Sequence, residues 1–299
     1  MSRFWYNLRV KKILAVSGGI DSMVLLDMFC KSEPSNILVA HFNHGTRESA
    51  DLDEEFVKRR CKEYGVPFES SKMLLGEGVS EEEAREKRYA FLYHVANKYQ
   101  GEICTAHHLD DLLESVVINL IRGTFWRGLA PFGNNTIRRP LVDLKMNKTD
   151  ILRYAGENHL CFRQDPTNYQ DDYLRNRVRE SLKSLEKEKK VAVLGLTEKQ
   201  KILREEIEKN LENLLETILM KNLQGEIFFR RDCFQAEELA EESAASSEIL
   251  RSICLEVNIS LTRPQLLNFL EAIKNYQPGK KFNLPKDKMA TITRDFVRL

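Results

Sequence analysis

The stretch that decides the fold is KILAVSGGIDS at residues 12–22. Its apolar run predicts a buried strand, and residues 21–30 predict a helix after it. The two glycines permit a tight turn and let a ligand approach the backbone closely. Successive amide groups with a helix N-terminus behind them form an anion-binding nest, and the hydroxyls of Ser17 and Ser22 can add donors. The turn is therefore suited to phosphate or pyrophosphate. A plain capped turn of small residues is the alternative.

Two widespread phosphate-binding loops are excluded, because the chain has neither GxxxxGK[ST] nor GxGxxG. The string SGGxDS after an apolar strand instead resembles the pyrophosphate loop of the N-type ATP pyrophosphatases. That resemblance implies an enzyme that splits ATP between its α- and β-phosphates and passes AMP to an acceptor oxygen. It also implies that ATP contacts the whole loop, namely Ser17, Gly18, Gly19, Ile20, Asp21 and Ser22.

The presence of an acidic residue, Asp21, in this loop requires an explanation, because a carboxylate beside a triphosphate is repelled unless a cation lies between them. Mg²⁺ binds through one or two carboxylates together with phosphate oxygens. We therefore expect Asp21 to hold Mg²⁺ or to contact the amine of a substrate. The alternative is that it only caps the first helix.

Strand-like and helix-like segments alternate through the first half of the chain. Further strands are predicted at 37–42, 67–71 and 102–106, and further helices at 53–64, 80–99 and 110–121. Ser80 and Glu83 form a capping box for the helix at 80–99, and its positions 92, 95, 96 and 99 share one apolar face. The alternation predicts an α/β fold, a Rossmann-like parallel sheet with helices on both faces.

The composition changes at the charged run 186–190, which suits a linker or a helix end. Thr197 and Gln200 then predict the start of a long helix that ends near Gly225. Beyond it we predict strands at 226–230 and 289–297 and helices at 236–257 and 264–275. We therefore divide the chain into a catalytic domain at 1–190 and a smaller α+β domain at 195–299.

A second group of reactive side chains follows the strand at 102–106, where residues 105–115 read TAHHLDDLLES. If a helix starts near Leu109, Asp111 and Glu114 lie on one face of it, with His107 at the strand tip. A carboxylate pair can bind an amine that is protonated at neutral pH, and a group nearby must take its proton. The alternative for His107 and His108 is a capping role, since adjacent histidines point in different directions.

Further blocks in order carry a resemblance to the tRNA(Ile)-lysidine synthetase family over residues 12–180. They are HFNHGTR at 41–47, AREKRY at 84–89, RG at 122–123, RPL at 139–141, DPTN at 165–168 and RNRVR at 175–179. The chain resembles the shorter members of that family. Phe125-Trp126 departs from the small, glycine-containing sequence expected there, so the loop has another shape or an aromatic ring stacks on a base.

The resemblance implies a two-step ligation. Cytosine O2 attacks the α-phosphorus of ATP and pyrophosphate leaves; free L-lysine then attacks C2 and AMP leaves. The substrate is the wobble cytidine of tRNA(Ile) with a CAU anticodon, and Mg²⁺ is the expected ion. The family positions tied to catalysis fall on Asp21, His107, Asp111, Glu114 and Arg179, and His41 falls near the adenine. Arg179 can neutralise a phosphate, but it can equally cap a helix or pair with an acid.

The charge and hydropathy of the chain limit which binding partners and which cellular location are expected. The net charge of +1 does not by itself indicate a nucleic-acid binder, so local basic groups matter more. We expect Arg175, Lys280 and Lys281 to contact tRNA phosphates, with Arg230-Arg231 as a further basic pair, although a solvated basic turn is the alternative. No apolar stretch is long enough to cross a membrane, and no signal peptide is recognised, so we expect a cytoplasmic protein. The oligomeric state stays open.

Two rival functions differ in what they require. A tRNA thiolase or an amidotransferase-type synthetase could use the same fold, but none of the six cysteines forms a CxxC pair, which counts against the thiolases. The same spacing disfavours a zinc or iron–sulfur site and fits reduced thiols. A non-catalytic nucleotide-sensing or RNA-binding module would not need acidic residues beside the phosphate loop.

Overall fold

The computed structural model describes residues 10–45, 49–72, 81–124, 126–132, 136–163, 173–223, 225–234 and 244–299. The chain divides into two compact units, Met1–Lys201 and Ile202–Leu299. The division falls inside one long helix, and each unit has its own hydrophobic core.

The first unit is a parallel α/β sheet, as the alternating pattern predicts. Its strands are β1 (Lys12–Ala15), β2 (Ile37–Asn43), β3 (Phe68–Lys72), β4 (Glu102–Cys104) and β5 (Ile137–Arg138), in the spatial order β3-β2-β1-β4-β5. All four strand pairs are parallel. The helices are α1 (Ile20–Ser32), α2 (Ser49–Tyr64), α3 (Glu81–Tyr99), α4 (Leu109–Ile121), α5 (Pro140–Asp143), α6 (Lys148–Glu157) and α7 (Tyr173–Leu182).

Both faces of this sheet are covered, because neighbouring residues of one strand enter different cores. Leu14 and Val39 pack with α1, α2 and α6 residues, whereas Ile13 and Leu38 pack with residues of α3. A side-chain period of two in the strands produces this division. The predicted apolar face of α3 is confirmed by its packing, while the Ser80 capping box lies outside the described residues.

The long helix α8 (Lys187–Ile218) corrects the predicted boundaries at both ends. It already includes the charged run, and Thr197 does not cap it: Thr197 Oγ1 donates to the carbonyl of Leu194 at 2.8 Å within the helix. The charged turn is stable as a helix because Lys190 forms a buried ion pair and Leu194 packs against α4 residues. The helix ends at Ile218, short of Gly225, and a strand follows it directly.

The second unit confirms the predicted α+β class. Its antiparallel sheet has the order β6-β7-β10-β9-β8, and α9 and α10 supply the helical side of one core. The predicted strand at 289–297 is in fact two strands, because a turn at 293–296 closes with Thr293 N donating to Phe296 O at 2.8 Å. The elements are β6 (Leu219–Lys221), β7 (Ile227–Arg230), α9 (Ala244–Glu256), α10 (Arg263–Asn275), β8 (Lys280–Leu284), β9 (Lys288–Ile292) and β10 (Phe296–Arg298).

The hydropathy of the described helices and the state of the cysteines complete the description of the fold. No helix in the described part is both long and apolar enough to cross a membrane. The six cysteines are unpaired thiols, and burial raises the pKa of Cys30, Cys61 and Cys254 to about 12, so these three stay protonated.

Candidate active site

The glycine turn sits at the carboxyl end of β1, the central strand of the sheet. Gly18 has φ +95°, a conformation that glycine adopts readily and other residues rarely do. Ser22 Oγ accepts from the amides of Ser17 and Gly18, both at 3.2 Å, and donates to the Gly19 carbonyl at 2.9 Å. The Ser22 hydroxyl therefore shapes the nest from within. Ile20 and Asp21 open α1 directly behind the turn.

His41 lies under this loop and not at its surface. Its side chain is buried in β2, and Nδ1 is 2.8 Å from the carbonyl oxygen of Val16, the residue that leads into the turn. Burial lowers the pKa of His41, so the ring is neutral at pH 7. The ring supports the strand end that carries the loop, and contact with the adenine remains a prediction.

A second turn follows β4 and brings the acidic residues to the same edge of the sheet. His108 caps α4: its Nδ1 accepts from Asp110 N at 3.2 Å, while its own amide donates to Asp111 Oδ2 at 2.9 Å. His108 Nε2 then lies 3.6 Å from Asp111 Oδ2 and 3.8 Å from Asp21 Oδ1. Thus His108, for which the sequence favoured a capping role, also stands between the two predicted carboxylates.

Asp111 is the carboxyl group best placed to exchange a proton. Burial raises its pKa; Glu114 and Asp21 add to the rise, and His108 opposes it. Its side chain is nevertheless 18% exposed, so a bound group can reach it. A carboxylate with a raised pKa is a better base than a fully solvated one.

Glu114 lies one turn further along α4 and is held by two arginines of α7. Arg179 Nε donates to Glu114 Oε1 at 2.7 Å and its Nη2 to Oε2 at 3.2 Å; Arg175 Nε donates to Oε2 at 3.1 Å. Glu114 is almost fully buried, while the side chains of Arg175 and Arg179 are 38% and 44% exposed. Of the roles left open for Arg179, pairing with an acid is the one observed, and Arg175, predicted to bind tRNA, shares that acid.

Lys148 is a site residue that the sequence reading missed. Its Nζ lies 2.5 Å from Asp21 Oδ1, and its amide donates to Asp110 Oδ2 at 2.7 Å at the start of α6. The sequence signal was present: Asn147 and Asp150 form a capping box that marks the start of α6. The ammonium supplies the cation that a carboxylate beside a phosphate loop requires.

His107 lies on the other side of the α4 cap, bonded through Nδ1 to Thr105 Oγ1 at 2.8 Å. Burial, and then the positive charge of Arg139 and of Arg88 and Arg85, lowers the pKa of His107 to about 3. Its ring lies 5.5 Å from that of Phe132, over which the Arg139 guanidinium stacks at 4.2 Å. Phe132 and Arg139 line a cleft of about 440 Å³, so a neutral imidazole stands beside a partly apolar, cationic cavity.

Asp21 fits Mg²⁺ brought by a nucleotide better than a resident ion. Within the described residues, no group of three or more His, Cys, Asp and Glu side chains is arranged to hold a metal. Asp21 is a single carboxylate, about a third exposed, at the phosphate turn. Mg²⁺ needs only one or two protein carboxylates when phosphates and waters complete its shell.

The basic residues of the second unit that were predicted to contact tRNA differ in their surroundings. Arg231 is buried, and its guanidinium donates to the carbonyl oxygens of Ile273 and Tyr276, both at 2.6 Å, and to those of Lys274 and Thr293. It therefore holds α10 to the sheet and offers nothing to phosphate. Lys280 and Lys281 are exposed on β8.

The chain is similar in sequence to known proteins. The family profile of the PP-loop domain matches residues 5–186. A tRNA(Ile)-lysidine synthase from Thermotoga maritima is 38% identical over 221 residues, which is 68% of this chain and 53% of that protein. The bifunctional protein TilS/HprT from Listeria monocytogenes is 30% identical over 306 aligned positions, 95% of this chain and 47% of that protein. The chain thus spans about half the length of the curated relatives it matches.

Among solved structures, the U34-tRNA thiolase NcsA from Methanococcus maripaludis aligns with a TM-score of 0.54 and 23% identity, over 64% of this chain and 72% of that one. At that identity the likeness concerns the fold alone, and it agrees with the parallel sheet described above. The profile match covers well over half of the chain and includes both the phosphate turn and the acidic cluster. The chain therefore belongs to the PP-loop domain family of ATP-binding proteins.

Proposed function

We propose that this protein joins free L-lysine to C2 of the wobble cytidine of tRNA(Ile), with ATP consumed to AMP and pyrophosphate. The observation that carries the proposal is that the carboxylates of Asp21 and Asp111 both lie within 4 Å of His108 Nε2 at the phosphate turn. Two carboxylates beside one imidazole suit a site that binds a protonated amine and takes its proton. The names of the curated relatives support the same activity.

In the first step, the amides of the glycine turn and the Lys148 ammonium stabilise the charge that builds on the phosphates as cytosine O2 attacks the α-phosphorus. Pyrophosphate leaves, and the cytosine carries AMP through its O2. Mg²⁺, held by Asp21 with phosphate oxygens, would neutralise the leaving pyrophosphate. Lys148 would give up its contact with Asp21 when that ion binds.

In the second step, the ammonium of lysine binds among the carboxylates and loses a proton to Asp111. The free amine attacks C2, the C2–O bond breaks, and AMP departs with the former O2. Glu114, fixed between Arg175 and Arg179, keeps α7 against α4 and so holds Asp111 in place at the amine site. His107 stays neutral and can bond to the base without adding charge.

We further infer that the predicted domain at 195–299 takes up the tRNA, with Lys281 among its cations. All the nucleotide-binding motifs lie before Arg179, and the remainder carries none.

The test is direct. Purified protein, tRNA(Ile) transcript with a CAU anticodon, ATP and Mg²⁺ should release pyrophosphate without lysine, and lysidine should appear in the nucleoside mass spectrum only when lysine is added. Transcript with a CAU-to-GAU change serves as the control. Pyrophosphate release that yields no lysidine even with lysine present, or no pyrophosphate release with any tRNA, would rule the proposal out.

A further inference from the structure

The second sheet has one face that its core does not use. On the core side, residues paired directly across four strands are Leu219, Phe229, Val297 and Ile292, of which the last three are fully buried. One residue away on each strand, a second row crosses all five strands. It consists of Met220, Phe228, Arg298, Thr291 and Lys281, each the direct partner of the next. Because strand side chains alternate, this row lies on the opposite face, and none of it joins the core cluster.

Two aromatic rings stand on this open face. Phe228 lies opposite Arg298, and Phe296 lies opposite Arg230 in the same strand pair. The rings meet edge to face at a centroid distance of 5.8 Å, and Phe296 is 38% exposed. Adjacent aromatic rings outside the core form an apolar patch, and such a patch on a protein surface can mark an interaction site. Met289, two residues from Thr291 on the same face of β9, is 52% exposed.

The charges around the rings favour an anionic partner. Over residues 280–298 the cations are Lys280, Lys281, Lys286, Lys288, Arg294 and Arg298, against the acids Asp287 and Asp295. Arg298 is paired with Glu226 at 2.8 Å, whereas the Lys281 ammonium has no ion pair among the described residues. Exposed rings flanked by cations are the elements with which proteins bind single-stranded nucleic acid, by base stacking and by attraction to phosphates.

We propose that this face, the aromatic platform formed by Phe228, Phe296, Arg298 and Lys281, binds unpaired nucleotides of an RNA loop. A duplex hides its base faces in its own stack, so only unstacked bases can use the rings. With strands about 4.8 Å apart, the row crossing five strands is roughly 19 Å long, enough for more than one base. The inference deepens the proposed function and rests on it for the identity of the RNA as a tRNA.

The rings are tested by substituting alanine and tyrosine at each. Binding to the full chain is measured by fluorescence anisotropy with an RNA stem–loop carrying a CAU anticodon and with a blunt duplex of the same stem. Phe296→Ala and Phe228→Ala should each weaken loop binding by about 5-fold to about 100-fold, the range for one lost stacking contact. Phe296→Tyr and Phe228→Tyr keep a stacking ring and should bind as the wild type does.

The cations supply a matched pair. Lys281 lies in the platform row, while Lys280 pairs with Ile292 in the row that faces the core. Lys281→Ala should lower the slope of log K against log salt by about 0.7, the value for one phosphate contact on a single strand. Lys280→Ala should leave that slope unchanged. Equal effects of the two substitutions would overturn the proposal.

Other results of these binding experiments would also decide whether the aromatic platform binds RNA. Alanine variants that bind the loop as tightly as the wild type, or that lose loop and duplex equally, overturn the platform. If the alanine variants instead dissociate an oligomer seen by light scattering, the face belongs to a second copy. All these measurements omit ATP and lysine, so the proposed activity can fail while the platform stands. A misfolded alanine variant is recognised by circular dichroism, and the tyrosine and lysine variants still decide.

Discussion

Asp111 and Glu114 are one helical turn apart on α4, yet their electrostatic settings differ. Both oxygens of Glu114 are engaged by arginine side chains, whereas burial raises the pKa of Asp111. Environments that separate two neighbouring carboxyl groups in this way assign them different tasks. We assign charge and positioning to Glu114 and proton transfer to Asp111.

Asp111→Asn should lower lysidine formation by at least about 100-fold, the low end of a general acid–base contribution. Asparagine keeps an acceptor for the His108 amide, so α4 should stay capped and the protein folded. Single-turnover assays with saturating lysine measure the effect. Asp287→Asn is the control, because Asp287 is an exposed turn residue with φ +55° that suits asparagine. A near-normal rate for Asp111→Asn would remove the carboxylate from the chemistry.

The buried His107 ring leads to a prediction about how the stability of the fold depends on pH. Its pKa falls from an ordinary 6.5 to about 3 on folding, so the unfolded chain binds more protons between those values. Stability therefore falls as pH drops through that window, and His107→Asn should make this fall shallower. Urea unfolding at pH 7 and at pH 4.5 measures it, with His159→Asn, on the solvated end of α6, as the control. Parallel curves for the wild type and His107→Asn would contradict the buried, neutral ring.

At the scale of elements, the two glycines of the phosphate turn differ in backbone conformation. Gly18 has φ +95°, but Gly19 has φ −70°, and within the described part of the chain a Cβ added there would meet only Ser17 Oγ at 3.5 Å. Gly19→Ala therefore tests the nest without straining the backbone.

We expect Gly19→Ala to keep its melting temperature and to lose most ATP-dependent pyrophosphate release, because a methyl group would crowd the phosphates at the amides. Gly18→Ala should lose both stability and activity, since its φ is unfavourable for alanine. Gly156→Ala in α6 is the control: no atom of the described residues lies within 4 Å of its added Cβ, and stability should rise by about 0.5–1 kcal/mol. Normal pyrophosphate release in folded Gly19→Ala would refute the loop assignment.

The start of α8 is held by charge as much as by packing. Lys190, 7% exposed, lies 2.5 Å from Asp110, and Lys187 lies 2.6 Å from Asp150. Burial disfavours the Asp110 carboxylate, but Lys190 and the Lys148 amide outweigh it and lower the Asp110 pKa. This contribution is present above the ordinary aspartate pKa and is lost as pH falls through the lowered one.

Lys190→Met should cost about 3 kcal/mol of unfolding free energy, because it leaves a buried carboxylate without its counter-charge. Lys189→Met, at an exposed position paired only with Glu186, should change stability by less than about 0.5 kcal/mol. Denaturant unfolding of both variants gives the comparison. Equal stabilities would mean that Asp110 is satisfied without Lys190.

At the scale of the molecule, the separate cores predict separable functions. Phe269 is fully buried in the second core, which contains no residue before 202. Phe269→Ala should cost the second unit about 3–5 kcal/mol and weaken tRNA binding, with ATP affinity unchanged. Leu267→Ala, at a position 36% exposed on the same helix, is the control. Filter binding and calorimetry measure the two affinities, and their joint loss in Phe269→Ala would contradict this separation.

Much of the site was predictable because its groups are encoded locally. The glycine turn must follow a strand, and Asp111 and Glu114 must share a helix face, so short-range geometry places them. The capping box of α6 places Lys148 at a helix start, but its contact with Asp21 could not be predicted, because Asp21 lies far away in the chain. The pairing of Glu114 with Arg175 and Arg179 depends in the same way on where α7 packs.

The sequence by itself determined the class of sheet, the phosphate turn and the acidic helix, since strand and helix periodicity and glycine conformation act over a few residues. Only the tertiary structure decided that Lys280 and Lys281 lie in different rows of their sheet, that Arg231 is structural, and that α8 runs unbroken through the charged segment. Those outcomes depend on strand register, burial and distant ion pairs. Such interactions arise only when segments far apart in the chain are packed together.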